Sequence, residues 1–318
     1  MSDPTPSTPD ADALLAQADA LHDDEPLRAL EILRALDTTA LSPGKLGRLS
    51  FLLDHVAGEK FGLWGEAVAG LRAIVAHAGP EATPLILRHA AIAAHLAADD
   101  VLAREWTQAL AASADAPLDK ARALVALGAV QFSAGRLSAE VAARLALHAL
   151  AAVAALHDTP GSGLDAAFGA VTNNLASDLL ERPLADLAQP DLRDALARAA
   201  ELAQRIWDDA GTWVQRERAR YLSAMAANAL GHGVAGAAHA RAGLALLDEF
   251  DVDDGERVDR AFLELELAAG LRLAGQPGRA EALARALALA ARFDAPWLDR
   301  WFTDRQRRNE ALAAHYGV

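Results

Sequence analysis

Apolar residues recur at every third or fourth position along almost the whole chain, which is the spacing of the buried face of an α-helix. Ala280, Leu283, Ala284, Leu287 and Ala288 form one such stripe. No run of alternating β-branched residues is long enough to predict a strand. Alanine, leucine and arginine, which lose little conformational entropy on entering a helix, are abundant. The sequence therefore predicts an all-α protein.

Glycine, proline and aspartate interrupt the helical pattern often enough to divide it into about seven antiparallel helical hairpins. The first helices of these hairpins are expected to start near residues 11, 43, 82, 117, 163, 213 and 256. The turns inside them are expected at 23–26, 58–62, 99–100, 135, 183–190, 231–233 and 275–278, and a last helix at 296–316. One hairpin cannot bury its apolar faces alone, so stacked hairpins would share a continuous core. This spacing predicts an α-solenoid closed by a C-terminal capping helix.

Small residues and Ala-Leu pairs recur at matching places in several hairpins. Leu127 and Gly128 precede Gly135, and residues 173–176 (Asn-Asn-Leu-Ala) occupy the same place in the fifth hairpin. Residues 269–283 combine Ala-Gly with a later Gly-Arg-Ala-Glu-Ala-Leu. These patterns resemble the tetratricopeptide repeat (TPR) family, and the resemblance spans most of the chain. It implies a right-handed superhelix whose concave groove, lined by the first helices, binds peptides or helices of partner proteins.

The N-terminus has the composition of a disordered tail. Residues 1–10 are rich in Ser, Thr and Pro and lack the basic and apolar segments of a signal peptide. Residues 11–318 are expected to form the repeat domain. The longest apolar tract, 141–156, contains Arg144 and His148, so no membrane-spanning run of about 18 residues is expected. These features predict a soluble, cytoplasmic protein.

The chain is acidic, with 30 Lys and Arg against 44 Asp and Glu and a formal net charge of −14. A surface of this sign repels phosphate backbones and anionic lipids, so neither nucleic acid nor a membrane is expected as a partner. Cysteine is absent, which excludes disulfides, thiolate nucleophiles and Cys-ligated zinc. Lys45, Lys60 and Lys120 are the only lysines. This arginine bias, with the high alanine content, is typical of a GC-rich bacterial genome.

Two short motifs resemble cofactor or metal sites, and each has a simpler structural interpretation. Gly231, Gly233 and Gly236 match the G-x-G-x-x-G dinucleotide motif, but the preceding segment is predicted to be a helix rather than the required strand. Glycine capping and close helix packing would explain the same residues. The acidic segment 251–255 lacks the spacing of a calcium loop and is expected to be an exposed connection. No histidine pair has the four-residue step of helical zinc ligands, so no metal and no cofactor are predicted.

Polar residues on the predicted first helices are candidates for the groove. Counting from the small mid-helix residue Ala176 places eight of them on that face: Arg88, His89, Arg122, Asn173, Asn174, Ser177, Tyr221 and Asn228. Amides hydrogen-bond to a peptide backbone and a guanidinium pairs with a carboxylate, so these side chains suit a peptide partner. The alternative for each residue is ordinary hydrogen bonding between hairpins, or solvation.

One cluster near the C-terminus combines aromatic and basic side chains: Trp297, Trp301 and Phe302 with Arg300, Arg305, Arg307 and Arg308. It could dock an acidic partner. Alternatively, it forms the terminal capping helix, with its rings packed on the last hairpin and its arginines in water. The capping helix is the favoured interpretation.

The function predicted from the sequence is a non-catalytic protein–protein interaction scaffold that holds a peptide or helix of a partner in a concave groove. A regulatory sensor that closes around a small molecule or signalling peptide is the main alternative. An all-α enzyme is a third hypothesis, and it would require clustered ionisable groups with perturbed pKa values in a cavity. A homodimer is compatible with each of them.

Overall fold

The computed structural model describes residues 10–157, 162–253 and 255–318, in which the regular secondary structure is helical and no strand occurs. The all-α prediction is therefore confirmed for this part of the chain. Its α-helices are α1 Ala11–Leu21, α2 Pro26–Ala35, α3 Leu46–Leu52, α4 Trp64–Ala78, α5 Pro84–Leu96, α6 Asp100–Ser113, α7 Leu118–Ser133, α8 Ala139–His157, α9 Asp165–Glu181, α10 Pro190–Ala210, α11 Trp213–Ala229, α12 Gly233–Phe250, α13 Arg257–Leu273, α14 Arg279–Ala290 and α15 Pro296–His315. Each predicted first-helix start lies within a few residues of an observed one.

The helices belong to two compact units. Unit 1 comprises Met1–Ser133 and Gly161–Leu164, and unit 2 comprises Ala134–Pro160 and Asp165–Val318. Unit 1 therefore contains α1 to α7 and unit 2 contains α8 to α15. The single repeat domain expected over residues 11–318 stays a prediction, and the tail expected at 1–10 lies outside the described residues except for Asp10. Asp10 caps α1, because its side chain accepts a hydrogen bond from the backbone N–H of Asp12.

Unit 1 contains the main departure from the predicted helix boundaries. A turn was expected at 58–62, but α3 continues directly into a π-helix, Leu53–Lys60, and the chain leaves the helix only after that. Gly58 permits this path, because a Cβ at that position would overlap the indole ring of Trp64. A π-helix is rare and is often found at functional sites.

Unit 2 is built from helices that pack on their neighbours in sequence. Contacts join α9 to α10, α11 to α12 and α13 to α14, and they also join the alternate helices α9, α11 and α13 side by side. Helix α15 packs against α11 and α13. One cluster of the core combines small and branched side chains from α11 to α14, including Ala237, Ala240, Leu263 and Leu267.

Close packing of α12 on α13 explains the glycines of the G-x-G-x-x-G motif. Gly231 has a φ of 79° in the turn after α11, a conformation that side chains disfavour. A Cβ on Gly233 would lie 2.6 Å from the carbonyl oxygen of Gly270, and a Cβ on Gly236 would overlap the Asn228 amide. A helix rather than a strand precedes the motif. The capping and packing interpretation is confirmed.

Replacing Gly270 with alanine should destabilise the protein by about 1–3 kcal/mol, as overpacking does in well-packed cores. The new Cβ would lie 2.6 Å from the backbone nitrogen of Ala237, and a backbone atom cannot rotate away. Urea unfolding followed by circular dichroism measures the change. Gly135→Ala is the control, because a Cβ there meets open space. Equal stability of the two variants would contradict the close approach.

Helix α8 corrects the expectation that no apolar run reaches membrane-spanning length. Arg144 and His148 do not interrupt the helix, and Ala139–Leu156 is long and apolar enough to cross a membrane by length and composition alone. Of this window, 39% is buried inside the protein. The helix packs on α9 and α10 of unit 2.

Candidate binding site

A cavity of about 550 Å³ in unit 2 lies between α9, α11, α13 and α15. This volume is within the range of small-molecule and peptide side-chain pockets. Asn173 and Ser177 line it from α9 and Tyr221 from α11, while Trp297 and Trp301 line it from α15. The cavity therefore joins three residues predicted for the groove to the aromatic part of the C-terminal cluster.

Aromatic rings form one wall of the cavity. The ring centroids of Phe262 and Trp301 are 4.4 Å apart, and Trp297 stacks on Trp301 at 6.3 Å. Tyr221 meets the edge of Phe262 at 6.0 Å. Trp297 is 56% exposed and Trp301 is 48% exposed. Large exposed aromatic side chains beside a cavity are typical of interaction surfaces.

Charged side chains also line the cavity. The Nε of Arg218 donates to Oδ2 of Asp259 at 2.8 Å, and its Nη2 donates to Oε2 of Glu256 at 3.3 Å. Glu217 lies beneath this pair and is fully buried. Burial, followed by the neighbouring charge of Asp259 and a hydrogen bond to it, raises the pKa of Glu217 to about 9. Glu217 is therefore protonated at neutral pH, and two carboxylates face one guanidinium at the cavity.

Two polar groups at the cavity have no hydrogen-bond partner among the described residues. The hydroxyl of Tyr221 is buried without one. Burial raises the pKa of this hydroxyl, which keeps it protonated and able to donate. The side-chain amide of Asn173 makes no hydrogen bond either, whereas Ser177 donates to the backbone carbonyl of Asn173 at 3.1 Å. The Asn173 amide is therefore open to a ligand, whereas the Tyr221 hydroxyl is covered by protein atoms.

A buried ionic network links α11, α13 and α15 of unit 2. The Nε of Arg305 donates to Oε1 of Glu266 at 2.6 Å, and the amides of Asn309 and Asn228 donate to the same carboxylate at 2.9 Å. Burial disfavours the Glu266 carboxylate, but the charge of Arg305 and these hydrogen bonds outweigh it and lower its pKa. The network holds α15 on the two helices that carry the cavity.

Two residues predicted for the groove in unit 2 lie elsewhere. Asn228 is fully buried, because its amide is part of the network with Glu266 and cannot reach a partner. Asn174 is exposed but is not among the residues that line the cavity. The one-residue step between Asn173 and Asn174 turns the second amide by about 100° around the helix.

The three predicted residues of unit 1 are divided between two places. Arg122 lines a cavity of about 520 Å³ with His95, Asp100 and Arg104. Arg88 and His89 are instead part of a buried cluster that the sequence did not signal, where His89 contacts Ser50 at 3.0 Å.

Burial controls the protonation of that cluster. Burial and then the charge of Arg88 lower the pKa of His89 well below 6.5, so the imidazole is neutral at pH 7. Burial likewise raises the pKa of Asp54 well above its usual value, against the opposing charge of Arg88. His89 therefore serves the interior of unit 1 rather than a groove.

The arginines of the C-terminal cluster are engaged within unit 2. Arg305 bonds to Glu266, Arg307 pairs with Asp304 at 2.7 Å, and Arg308 donates to the carbonyl oxygens of Leu180 and Arg182. These contacts favour the capping interpretation over a basic surface for an acidic partner. The exposed part of the cluster comprises its tryptophan pair together with Arg300 and Arg307.

Several cavity residues were missed by the sequence analysis. Arg218, Leu222 and Met225 of α11 line the cavity and follow one another at steps of four and three residues, the periodicity of one helix face. Extending the groove register from Tyr221 along α11 would have found them. Asp259 and Phe262 of α13 are related by the same three-residue step.

No protein-family model matches the chain, and no curated protein matches it either.

Proposed function

We propose that this chain is a non-catalytic, TPR-like helical-repeat protein that binds a peptide or helix of a partner protein in the cavity of unit 2. The observation that carries the proposal is the cavity itself. Three alternate helices, α9, α11 and α13, present polar side chains to a space that α15 closes with two exposed tryptophans. In a TPR-like superhelix these alternate helices are the first helices of consecutive hairpins, which line the concave face.

The chemistry of the walls suggests what the partner segment carries. An apolar side chain would insert between Phe262 and the tryptophan pair, where it loses contact with water. A basic side chain would meet Glu256 and Asp259, whose two charges Arg218 balances only in part. The whole chain carries a net charge of −14, which also attracts a positively charged partner. The Asn173 amide, which lines the cavity without a hydrogen bond of its own, would bond to the backbone of the partner.

Binding is a better match to this site than catalysis because the ionisable groups are already paired. Arg218 is held by two carboxylates, and Glu217 is buried near Asp259. A general acid or base must reach the substrate within hydrogen-bond distance. The two groups at this site whose pKa values burial raises, the Glu217 carboxyl and the Tyr221 hydroxyl, are both buried.

Replacing both Trp297 and Trp301 with alanine should weaken peptide binding by at least about 30-fold, because aromatic anchors at interface centres are typical hot spots worth about 2 kcal/mol or more. Peptides are first selected on the full chain from a displayed random library. Fluorescence anisotropy then measures the affinity of the selected peptides. The selected sequences should contain an apolar residue near a basic one.

Asn173→Ala and Asn174→Ala form a matched pair, because only Asn173 lines the cavity. Asn173→Ala should weaken binding, and Asn174→Ala should leave it unchanged. Equal affinities for the double tryptophan variant and the native chain would contradict the proposal, as would an equal loss in both asparagine variants.

A small molecule is the second candidate ligand, favoured by the cavity volume of about 550 Å³. The ring of an aromatic amine would stack on the tryptophan pair, and its ammonium group would pair with Glu256 and Asp259. A compound library screened by thermal shift distinguishes the two ideas, since a small-molecule sensor would be stabilised by a compound and should select no peptide.

A further inference from the structure

Two histidines and an aspartate of unit 1 converge on one point outside the cavities. Nε2 of His22 lies 3.2 Å from Oδ2 of Asp23, and Nε2 of His55 lies 3.4 Å from Oδ1 of the same carboxylate. One ligand atom from each residue lies within 4.8 Å of the other two. The side chains of His22 and His55 are 19% and 20% exposed and that of Asp23 is 67% exposed, so the point lies at the surface.

Both imidazoles are anchored through their other nitrogen. Nδ1 of His22 contacts the backbone carbonyl oxygen of Asp19, and Nδ1 of His55 lies 2.6 Å from Oε2 of Glu59. Each of these oxygens can only accept, so Nδ1 carries the proton in both rings. Nε2 of each neutral ring then presents a lone pair. Metal-binding histidines are typically held in this way, with the second nitrogen donating to a carbonyl or carboxylate.

A cation between the two imidazoles and the Asp23 carboxylate would be attracted by all three groups. In their neutral forms, His22 and His55 would both direct Nε2 lone pairs at the oxygens of Asp23. The separations of 3.2 and 3.4 Å run to different oxygens of the carboxylate, and the contact of His55 is also that of a long hydrogen bond. Each separation is close to the edge of a tetrahedron around Zn²⁺, which is about 3.4 Å for bonds of about 2.0–2.1 Å.

A π-helix carries His55 and the two residues that orient the proposed ligands. His55 and Glu59 both lie in the π-helix Leu53–Lys60, whose wider turn keeps residues four apart on one side. Lys60 from the same segment donates to Oδ1 of Asp23 at 2.8 Å, which orients the carboxylate and leaves Oδ2 toward His22. The ligands come from the end of α1 and from the π-helix, so no short motif in the sequence signals them.

We propose that His22, Asp23 and His55 bind a first-row divalent metal ion, with Zn²⁺ as the best match to two nitrogens and one oxygen. Water would occupy the fourth position. Glu59 is a positioning residue that orients His55. This site is in unit 1 and is independent of the peptide-binding proposal for unit 2.

Co²⁺ is the probe, because tetrahedral Co²⁺ absorbs strongly in the visible range. The full chain, freed of metal with a chelator, should bind one Co²⁺ with these bands, and Zn²⁺ should displace it. His22→Ala with His55→Ala should abolish the bands. Glu59→Gln should lower the affinity about 10- to 100-fold, because it weakens the anchor of His55 without removing a ligand.

His95→Ala with His315→Ala is the control, since both histidines are exposed and distant from the proposed ligands in sequence. This variant should bind Co²⁺ as the native chain does. Circular dichroism of each metal-free variant shows whether it is folded, and Asp23→Asn provides a third, nearly isosteric test. Absence of Co²⁺ binding by the native chain would overturn the proposal, and so would unchanged binding by the variant that lacks His22 and His55.

Discussion

Replacing Arg305 with alanine should lower the free energy of unfolding by about 3–5 kcal/mol, the usual loss when one partner of a buried ion pair is removed. Glu266 is fully buried and Arg305 is 6% exposed. Without the guanidinium, the carboxylate of Glu266 keeps only the amides of Asn228 and Asn309. Urea unfolding followed by circular dichroism measures the loss.

Arg307→Ala is the matched control, because Arg307 pairs with Asp304 on the surface of the same helix. Their side chains are 71% and 66% exposed, so the pair contributes at most about 1 kcal/mol. A second variant, Glu266→Leu with Arg305→Met, removes both charges and should recover part of the loss. Losses of equal size in Arg305→Ala and Arg307→Ala would show that the network contributes little.

The same network explains how α15 is held against the cavity. Arg305 and Asn309 are its polar contacts with Glu266 of α13, and Trp297 and Trp301 lie nearer the start of the same helix. Arg305→Ala should therefore also weaken peptide binding, even though Arg305 does not line the cavity. Arg307→Ala should leave peptide binding unchanged.

Glu217→Gln should make the protein more stable than the native chain at pH 8.5 and similar to it near pH 5. The pKa of Glu217 is about 9 in the folded protein and near 4.5 in the unfolded chain. Because the folded state retains the proton, the contribution of Glu217 to stability is full below about pH 4.5. It is lost as the pH rises through about 9.

The size of this effect follows from proton linkage. One proton retained by the folded state changes the free energy of unfolding by up to about 1.4 kcal/mol for each pH unit in that window. Glutamine is neutral throughout this pH range, as the protonated carboxyl of Glu217 is in the folded protein. The variant should therefore lose this part of the pH dependence.

Urea unfolding at half-unit steps between pH 5 and 9 measures the difference between the two chains. Glu249→Gln is the control, because Glu249 is an exposed glutamate on α12 and its replacement should preserve the native pH dependence. Parallel curves for the native chain and Glu217→Gln would show that Glu217 is ionised in the folded protein.

The sequence predicts a turn correctly where residues within the turn itself determine its conformation. The turns around Gly231 and Gly275 were predicted from glycine alone, and both residues adopt positive φ. The prediction was right only in part at the turn expected at 58–62: Gly62 has a φ of 71° and α4 begins at Trp64, but the π-helix continues to Lys60. The apolar residues before Gly58 and before Gly231 follow the same helical spacing. The sequence near Gly58 therefore did not indicate that the helix would continue to Lys60.

The candidate site was predicted only in part for a related reason. Asn173, Ser177 and Tyr221 were found because the register of a helix places them on one face. Asn228 has the same register on its helix, but its amide donates a hydrogen bond to the buried carboxylate of Glu266 on α13 and is itself buried. Burial depends on the neighbouring helix, which the register of α11 does not describe.

Helix content, the positions of most turns and the acidic charge followed from the sequence by itself, because backbone preference and hydrophobic periodicity act over a few neighbouring residues. The tertiary structure alone decided which distant side chains meet. Trp301 came to line a cavity with Asn173, and His22 came to face His55, because helices far apart in the chain pack together. The pKa of Glu217 was decided in the same way, because desolvation depends on every element that covers a group.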